Sequence, residues 1–128
     1  MNELSLLLVE DNILNQKLIF LNLSKYGFVI DVAHNGFEAV EKFKERKYHL
    51  ILMDVMMPVL DGMEATKQIR EIERDKGGHT FIIGLTANTY DADKEKCLVA
   101  GMDAFMNKPF DFEVLKGIFN ELGINYNK

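Results

Sequence analysis

The chain has 128 residues, of which 48% are hydrophobic and 27% are charged, and its formal net charge is −5. These values are typical of one soluble globular domain that buries about two-thirds of its unfolded surface. The negative charge argues against direct nucleic-acid binding, and no apolar run approaches the roughly 20 residues that span a bilayer. The single cysteine, Cys97, excludes an internal disulfide, so a cytoplasmic setting without direct membrane contact is expected.

Apolar runs of strand length alternate with longer stretches of helical periodicity along the whole chain. Five strands are predicted, at Leu4–Val9, Phe28–Ala33, Tyr48–Met53, Phe81–Thr86 and Ala104–Met106. The first, third and fourth are nearly continuous hydrophobic runs, which is typical of strands covered on both faces. The second carries Asp31 in its middle and is therefore predicted at an edge of the sheet.

A helix is predicted after each strand. Four of the helices begin after residues that favour helix N-caps, namely Asn12, Asn35, Asp61 and Asp111. The first helix shows Leu14, Leu18 and Leu21 on one face, and the fourth runs from about Thr89 to Ala100. Strict alternation of strands and helices predicts an α/β fold, a doubly wound parallel sheet with helices on both faces.

Polar residues follow the predicted strands at the edge of the sheet where such folds place their functional sites. Glu10 and Asp11 follow the first strand, Asp54 the third and Lys108 the fifth, and Thr86 ends the fourth. Crowded carboxylates repel one another, and a divalent cation with oxygen ligands removes that conflict. Carboxylates and waters suit Mg²⁺ in particular. An aspartate nucleophile, a metal, a lysine and a hydroxyl together predict a phosphoryl-transfer site.

Four segments carry a resemblance to a known family. VEDN at 9–12, MDVMMPVLDG at 53–62, LTAN at 85–88 and GMDAFMNKPF at 101–110 resemble the receiver domain of two-component response regulators. The four motifs occur in order over the whole chain, each at the end of the appropriate strand. The resemblance implies a (βα)5 flavodoxin-like fold with strand order 2-1-3-4-5 and a single receiver domain over residues 1–128.

The resemblance also implies a role for each site residue. Asp54 would be the phosphoacceptor. Asp11, Asp54 and the backbone carbonyl of Met56 would be Mg²⁺ ligands, with Glu10 acting through a water molecule. Lys108 would contact the phosphoryl group.

Four side chains would respond to the phosphoryl group or control its lifetime. Thr86 would be the switch hydroxyl and Phe105 the switch aromatic residue, which together change the surface formed by the fourth helix, fifth strand and fifth helix. Met56 and Asn88 lie two residues past Asp54 and Thr86, and we expect their side chains to set the lifetime of the aspartyl phosphate.

The function implied by the resemblance is that of a signalling domain rather than an enzyme. A histidine kinase or a histidine phosphotransfer domain would donate the phosphoryl group. The chain is most similar to receivers of hybrid sensor histidine kinases, and in such a protein the phosphoryl group would be relayed onward. No output domain is expected within the 128 residues, and dimerisation on phosphorylation is compatible with the sequence without being required by it. Two alternatives stay open, a dehalogenase-type phosphatase with an aspartate nucleophile and a flavodoxin-like binding module.

Overall fold

The computed structural model describes residues 4–55, 60–86, 91–108 and 110–124. In this part of the chain, strands and helices alternate strictly. The strands are β1 Ser5–Val9, β2 Val29–Ala33, β3 Leu50–Asp54, β4 Phe81–Thr86 and β5 Ala104–Asn107. The helices are α1 Ile13–Ser24, α2 Gly36–Glu45, α3 Gly62–Lys76, α4 Asp91–Ala100 and α5 Phe112–Leu122. Among the described helices, none has the length and apolarity that crossing a bilayer requires.

The strands form one parallel sheet in the order β2-β1-β3-β4-β5, which confirms the predicted fold. Successive side chains of a strand point to opposite faces, so the sheet separates two cores. Leu7 and Ile51 lie in the core covered by α2, α3 and α4, whereas Leu8 and Leu52 lie in the core covered by α1 and α5. The strand order reverses between β1 and β3, and this places the functional crevice at the carboxyl ends of those two strands.

The edge position predicted from Asp31 is confirmed, because β2 pairs only with β1 among the described strands. The carboxylate of Asp31 accepts hydrogen bonds from Arg46 Nη1 at 2.9 Å and from the Tyr48 hydroxyl at 2.7 Å. Burial, followed by this contact with Asp31, raises the pKa of Tyr48. A polar residue is thus accommodated in mid-strand because two donors reach it from the segment before β3.

Helix α1 packs on the sheet with a different face from its leucine-rich one. Leu14, Leu18 and Leu21 do share one face, but their exposed fractions are 67%, 52% and 61%. The residues that α1 buries are Gln16, Ile19 and Leu23. The Asn12 side chain caps the helix by accepting from the N–H of Asn15 at 2.9 Å. With its start fixed in this way, the 3.6-residue period turns positions 16, 19 and 23 toward the sheet.

An ion-pair network lies at the amino-terminal ends of β4 and β5, opposite the strand ends that carry the predicted site. Arg70 on α3 donates to Glu73 at 2.9 Å, to Asp103 at 2.8 Å, and to the backbone carbonyls of Gly101 and Thr80 at 2.8 Å each. One guanidinium group therefore joins α3 to the start of β4 and to the turn between α4 and β5. Its two carboxylate partners are largely withdrawn from solvent, and the guanidinium group pairs with both of them.

Replacing Arg70 by alanine is expected to lower the free energy of unfolding by about 3 kcal/mol, because it leaves two poorly solvated carboxylates without their cation. Arg74→Ala removes an exposed arginine from the same helix and should change stability by less than about 0.5 kcal/mol. Urea unfolding of both variants measures the difference. Equal losses would show that the network contributes nothing specific.

Candidate functional site

The first part of the site is the turn between β1 and α1. The N–H of Glu10 donates to the carbonyl of Ala33 at 3.1 Å, which extends the pairing of β1 with β2 by one residue. The Glu10 side chain is 1% exposed and accepts from the N–H of Asn12 at 3.2 Å. Asp11 is exposed. The turn therefore presents one buried and one solvated carboxylate.

Asp54 is the last residue of β3 rather than the first residue after it, and it is 1% exposed. Helix α3 begins close behind it, with the N–H of Gly62 donating to the carbonyl of Val55 at 3.0 Å. A Cβ at position 62 would lie 2.3 Å from the backbone oxygen of Asp54, a distance that real side chains do not adopt. Glycine at this position thus allows the helix to close against the end of β3.

The strand ends bring the predicted residues together. One carboxylate oxygen from each of Glu10, Asp11 and Asp54 lies within 4.8 Å of the others, and we call these three residues the acidic cluster. The Lys108 ammonium lies 2.9 Å from Asp54 Oδ2 and 3.9 Å from Glu10 Oε1. The backbone N–H of Lys108 donates to the carbonyl of Thr86 at 2.8 Å, which fixes the lysine beside the end of β4. The predicted convergence of these side chains is confirmed.

The negative charge of the acidic cluster exceeds what Lys108 neutralises. Burial raises the pKa of the Glu10 carboxyl to about 7, and the neighbouring Asp54 acts in the same direction. The N–H of Asn12 and the charge of Lys108 lower this pKa but do not offset the other effects. The clustered carboxylates oppose one another's ionisation, and a cation at the cluster would relieve this repulsion. The three groups that could bind the cation are all carboxylates, and one side of the cluster is open to water. Oxygen ligands together with water molecules fit Mg²⁺.

The two predicted switch residues lie on the neighbouring strands. Thr86 ends β4 and is buried, and β4 pairs with β3 so that Asp54 is opposite Leu85. Phe105 is half-buried on β5, opposite Gly84. Thr86 is thus one residue beyond the partner of Asp54, at the rim of the acidic cluster.

Two predicted residues, Met56 and Asn88, lie outside the described part of the chain. The metal-ligand role of the Met56 carbonyl and the effect of both side chains on phosphate lifetime therefore stay predictions. Sequence reasoning missed Gln16, a buried amide of α1 whose Nε2 donates to the backbone carbonyl of Glu10. The sequence feature that could have indicated it is a glutamine at helical spacing from Ile19 and Leu23.

The raised pKa of Glu10 predicts a pH effect on the stability of the metal-free protein. Between about pH 4.5 and 7 the folded state retains a proton that the unfolded chain releases, so the stability contributed by Glu10 is lost as the pH rises through this window. We expect Glu10→Gln to become progressively more stable than the wild type over the same window. Urea unfolding in the presence of a chelator measures this difference.

Glu71→Gln is the control, because it removes an exposed glutamate of α3. Its stability relative to the wild type should be nearly independent of pH. A Glu10→Gln difference that is also flat from pH 4.5 to 7 would contradict the raised pKa.

Two solved structures with the same fold are receiver domains. The receiver domain of the Saccharomyces cerevisiae response regulator Ssk1, co-crystallised with the histidine phosphotransfer signaling protein Ypd1, has a TM-score of 0.88 and 37% identity, covering 94% of this chain and 89% of that one. The receiver domain of the Pseudomonas aeruginosa sensor histidine kinase PA1611, which has magnesium in its active site cleft, has a TM-score of 0.82 and 39% identity, covering 94% and 97%.

Sequence relatives agree with the structural neighbours. Hybrid signal transduction histidine kinase B of Dictyostelium discoideum is 49% identical over 113 residues, which are 81% of this chain and 6% of that kinase. This chain spans 7% and 10% of two further hybrid kinases of that organism. A family model described as the response regulator receiver domain matches residues 6–120. The chain therefore belongs to the family of response regulator receiver domains, the signalling domains of two-component and phosphorelay systems.

Proposed function

We propose that this receiver domain accepts a phosphoryl group on Asp54 from a phosphohistidine, in the presence of Mg²⁺. The observation that carries the proposal is the 2.9 Å contact between Lys108 Nζ and Asp54 Oδ2 within the acidic cluster. Asp54 is buried at a strand end, where desolvation disfavours a carboxylate that serves structure alone. Family membership supports the same role.

In the proposed reaction, a carboxylate oxygen of Asp54 attacks the phosphorus atom of the phosphohistidine. The new P–O bond forms as the P–N bond breaks, and the imidazole of the donor leaves with the electron pair of that bond. Lys108 already lies beside Asp54 and neutralises negative charge on the transferred group. The Thr86 hydroxyl donates a hydrogen bond to one of the phosphoryl oxygens.

Glu10, Asp11 and Asp54 would hold the magnesium ion, since their oxygens already converge. When bound, Mg²⁺ offsets the charge of the acidic cluster and of the incoming phosphoryl group. Burial raises the pKa of Glu10, which favours its protonated form before the ion arrives. We place it in contact with a water molecule on the ion rather than in direct ligation.

The output of phosphorylation is proposed to pass through β4 and β5. Thr86 moves toward the phosphoryl group, and Phe105 packs into the space that it leaves. The hydrogen bond from the Lys108 N–H to Thr86 links the two strand ends at this point. The surface formed by α4, β5 and α5 then favours a different set of partners, as in a two-state equilibrium shifted by one charge.

The partner is proposed to dock on the exposed leucine face of α1. This face borders a cavity of about 570 Å³ whose lining includes Glu10, Leu18, Lys108 and Phe110. A partner that covers Leu18 therefore reaches the rim of the acidic cluster directly. An apolar helical surface that presents a phosphohistidine fits this arrangement. The co-crystal of the Ssk1 receiver with a histidine phosphotransfer protein supports this class of partner.

The kinship with hybrid kinases supports a relay, in which Asp54 receives the phosphoryl group and passes it to a histidine phosphotransfer domain. No observation on the described residues favours a phosphatase or a flavodoxin-like binding module. A cytoplasmic location and dimerisation on phosphorylation stay predictions.

Replacing Asp54 by asparagine is expected to abolish phosphorylation by acetyl phosphate, because an amide is not a nucleophile toward phosphorus. Incubation with Mg²⁺ and acetyl phosphate should give the wild type one acid-stable, base-labile phosphate, which intact-mass spectrometry measures. Asp75→Asn removes an exposed aspartate of α3 and should label like the wild type. Stoichiometric phosphate on Asp54→Asn would refute the assignment.

Replacing Leu18 by serine is expected to slow transfer from phosphorylated Ypd1 by about tenfold or more at limiting donor, the equivalent of losing one buried leucine side chain from an interface. Labelling by acetyl phosphate should not change, since that donor is too small to contact α1. Val99→Ser is the matched control, because Val99 is an 85% exposed residue on α4. Equal effects of the two variants on transfer from Ypd1 would exclude α1 as the docking surface.

A further inference from the structure

Gln16 is a buried polar residue in a position where α1 otherwise buries Ile19 and Leu23. Its side-chain Nε2 donates a hydrogen bond to the backbone carbonyl of Glu10, six residues earlier. Burying an amide is unfavourable unless its groups are satisfied, and a leucine would pack on the sheet without that requirement. Packing alone therefore does not account for glutamine at this position.

The backbone of Glu10 is held on both sides. Its N–H donates to Ala33 of β2 at 3.1 Å, and its carbonyl accepts from the Gln16 side chain. Gln16 also donates its own N–H to the carbonyl of Asn12 at 3.0 Å. The turn that carries Glu10 and its exposed neighbour is thus clamped between an edge strand and a helix.

The direction of the two carboxylates depends on this clamp. Asp11 is solvent-exposed, so the turn backbone fixes where its side chain starts, while surrounding side chains do not hold its carboxylate. Glu10 is packed on all sides but would shift with its carbonyl if that group lost its donor. Ligands that converge before the ion binds keep its affinity high, and the groups that orient them contribute to that affinity without touching the ion.

We propose that Gln16 is a positioning residue for the acidic cluster: it fixes the β1–α1 turn so that the carboxylates of Glu10 and Asp11 converge with that of Asp54. This inference rests on the proposed function, because it assigns the cluster to Mg²⁺. Gln16 also relates the two faces of α1 to each other. The outward face of α1 carries Leu14, Leu18 and Leu21, and its inward face holds the acidic turn through Gln16.

The test replaces Gln16 by methionine, which keeps the length of the side chain and removes the donor. The Mg²⁺ dissociation constant of the folded protein, measured by calorimetry with the metal alone, should rise about tenfold. Beryllofluoride adduct formation at Asp54 should then require correspondingly more Mg²⁺. Hydrogen exchange should also become faster at the amides of residues 10–12, which a role limited to core packing would not predict.

Asn22→Leu is the matched control. Asn22 is also an amide on α1 that donates to a carbonyl, but its bond, 2.8 Å to Leu18, stays within the helix. We expect its Mg²⁺ dissociation constant to stay within about twofold of the wild type, because no contact with the β1–α1 turn is lost. An unchanged constant in Gln16→Met, or an equal change in Asn22→Leu, would overturn the positioning role.

A measurement on the wild type covers the case in which Gln16→Met does not fold. In an NMR titration with Mg²⁺, the side-chain amide signals of Gln16 should shift and those of Asn22 should not. If the backbone signals of the acidic cluster shift and those of the Gln16 side chain do not, the positioning role is wrong and the proposed function still stands. A wild type that binds neither Mg²⁺ nor beryllofluoride would overturn the proposed function together with it.

Discussion

The structure depends on an imbalance of charge at one edge of the sheet. Glu10, Asp11 and Asp54 bring three carboxylate oxygens within 4.8 Å of one another, and the ammonium of Lys108 contacts the group from one side. Two of the three carboxylates are withdrawn from water, and this burial, with the neighbouring Asp54 as a smaller cause, raises the pKa of Glu10 to about 7. One more positive charge at this strand end would relieve the repulsion, as the proposed binding of Mg²⁺ requires.

The amino-terminal ends of β4 and β5 show how the same fold pairs carboxylates that serve structure. Asp103 is matched by Arg70 at 2.8 Å and by the His79 ring at 2.7 Å, and Glu73 is paired with the same guanidinium. Each of these acids has a nearby basic partner and a backbone donor. At the acidic cluster, by contrast, three carboxylates gather around the ammonium of Lys108, which does not balance their combined charge.

Helix α1 links the acidic edge to the outside of the molecule. Its sheet-facing side fixes the Glu10 carbonyl through Gln16, while three leucines on its outer side stay in contact with water. An exposed row of leucines beside a cavity is unfavourable for an isolated domain, and it is consistent with a surface that is covered part of the time. In the proposed mechanism, one short helix therefore presents the docking surface and also positions the carboxylates that the partner's phosphoryl group would meet.

Much of this could be predicted from the sequence, because the informative residues act through the backbone. Continuous apolar runs fixed the buried strands, Asp31 indicated the edge strand, and polar residues after β1, β3 and β5 indicated the site, since parallel strands end at the same edge. The face of α1 was less accessible to such reasoning, because a row of leucines is the usual sign of a buried stripe. The structure turns Gln16 inward instead, and only the position of the Glu10 carbonyl, a tertiary feature, explains why a polar side chain is favoured there. Periodicity identifies the apolar face of a helix, but it does not distinguish a face that packs on the sheet from one reserved for a partner. In this chain the distinction rests on the buried hydrogen bond between Gln16 and the Glu10 carbonyl, a tertiary contact that helical periodicity does not encode.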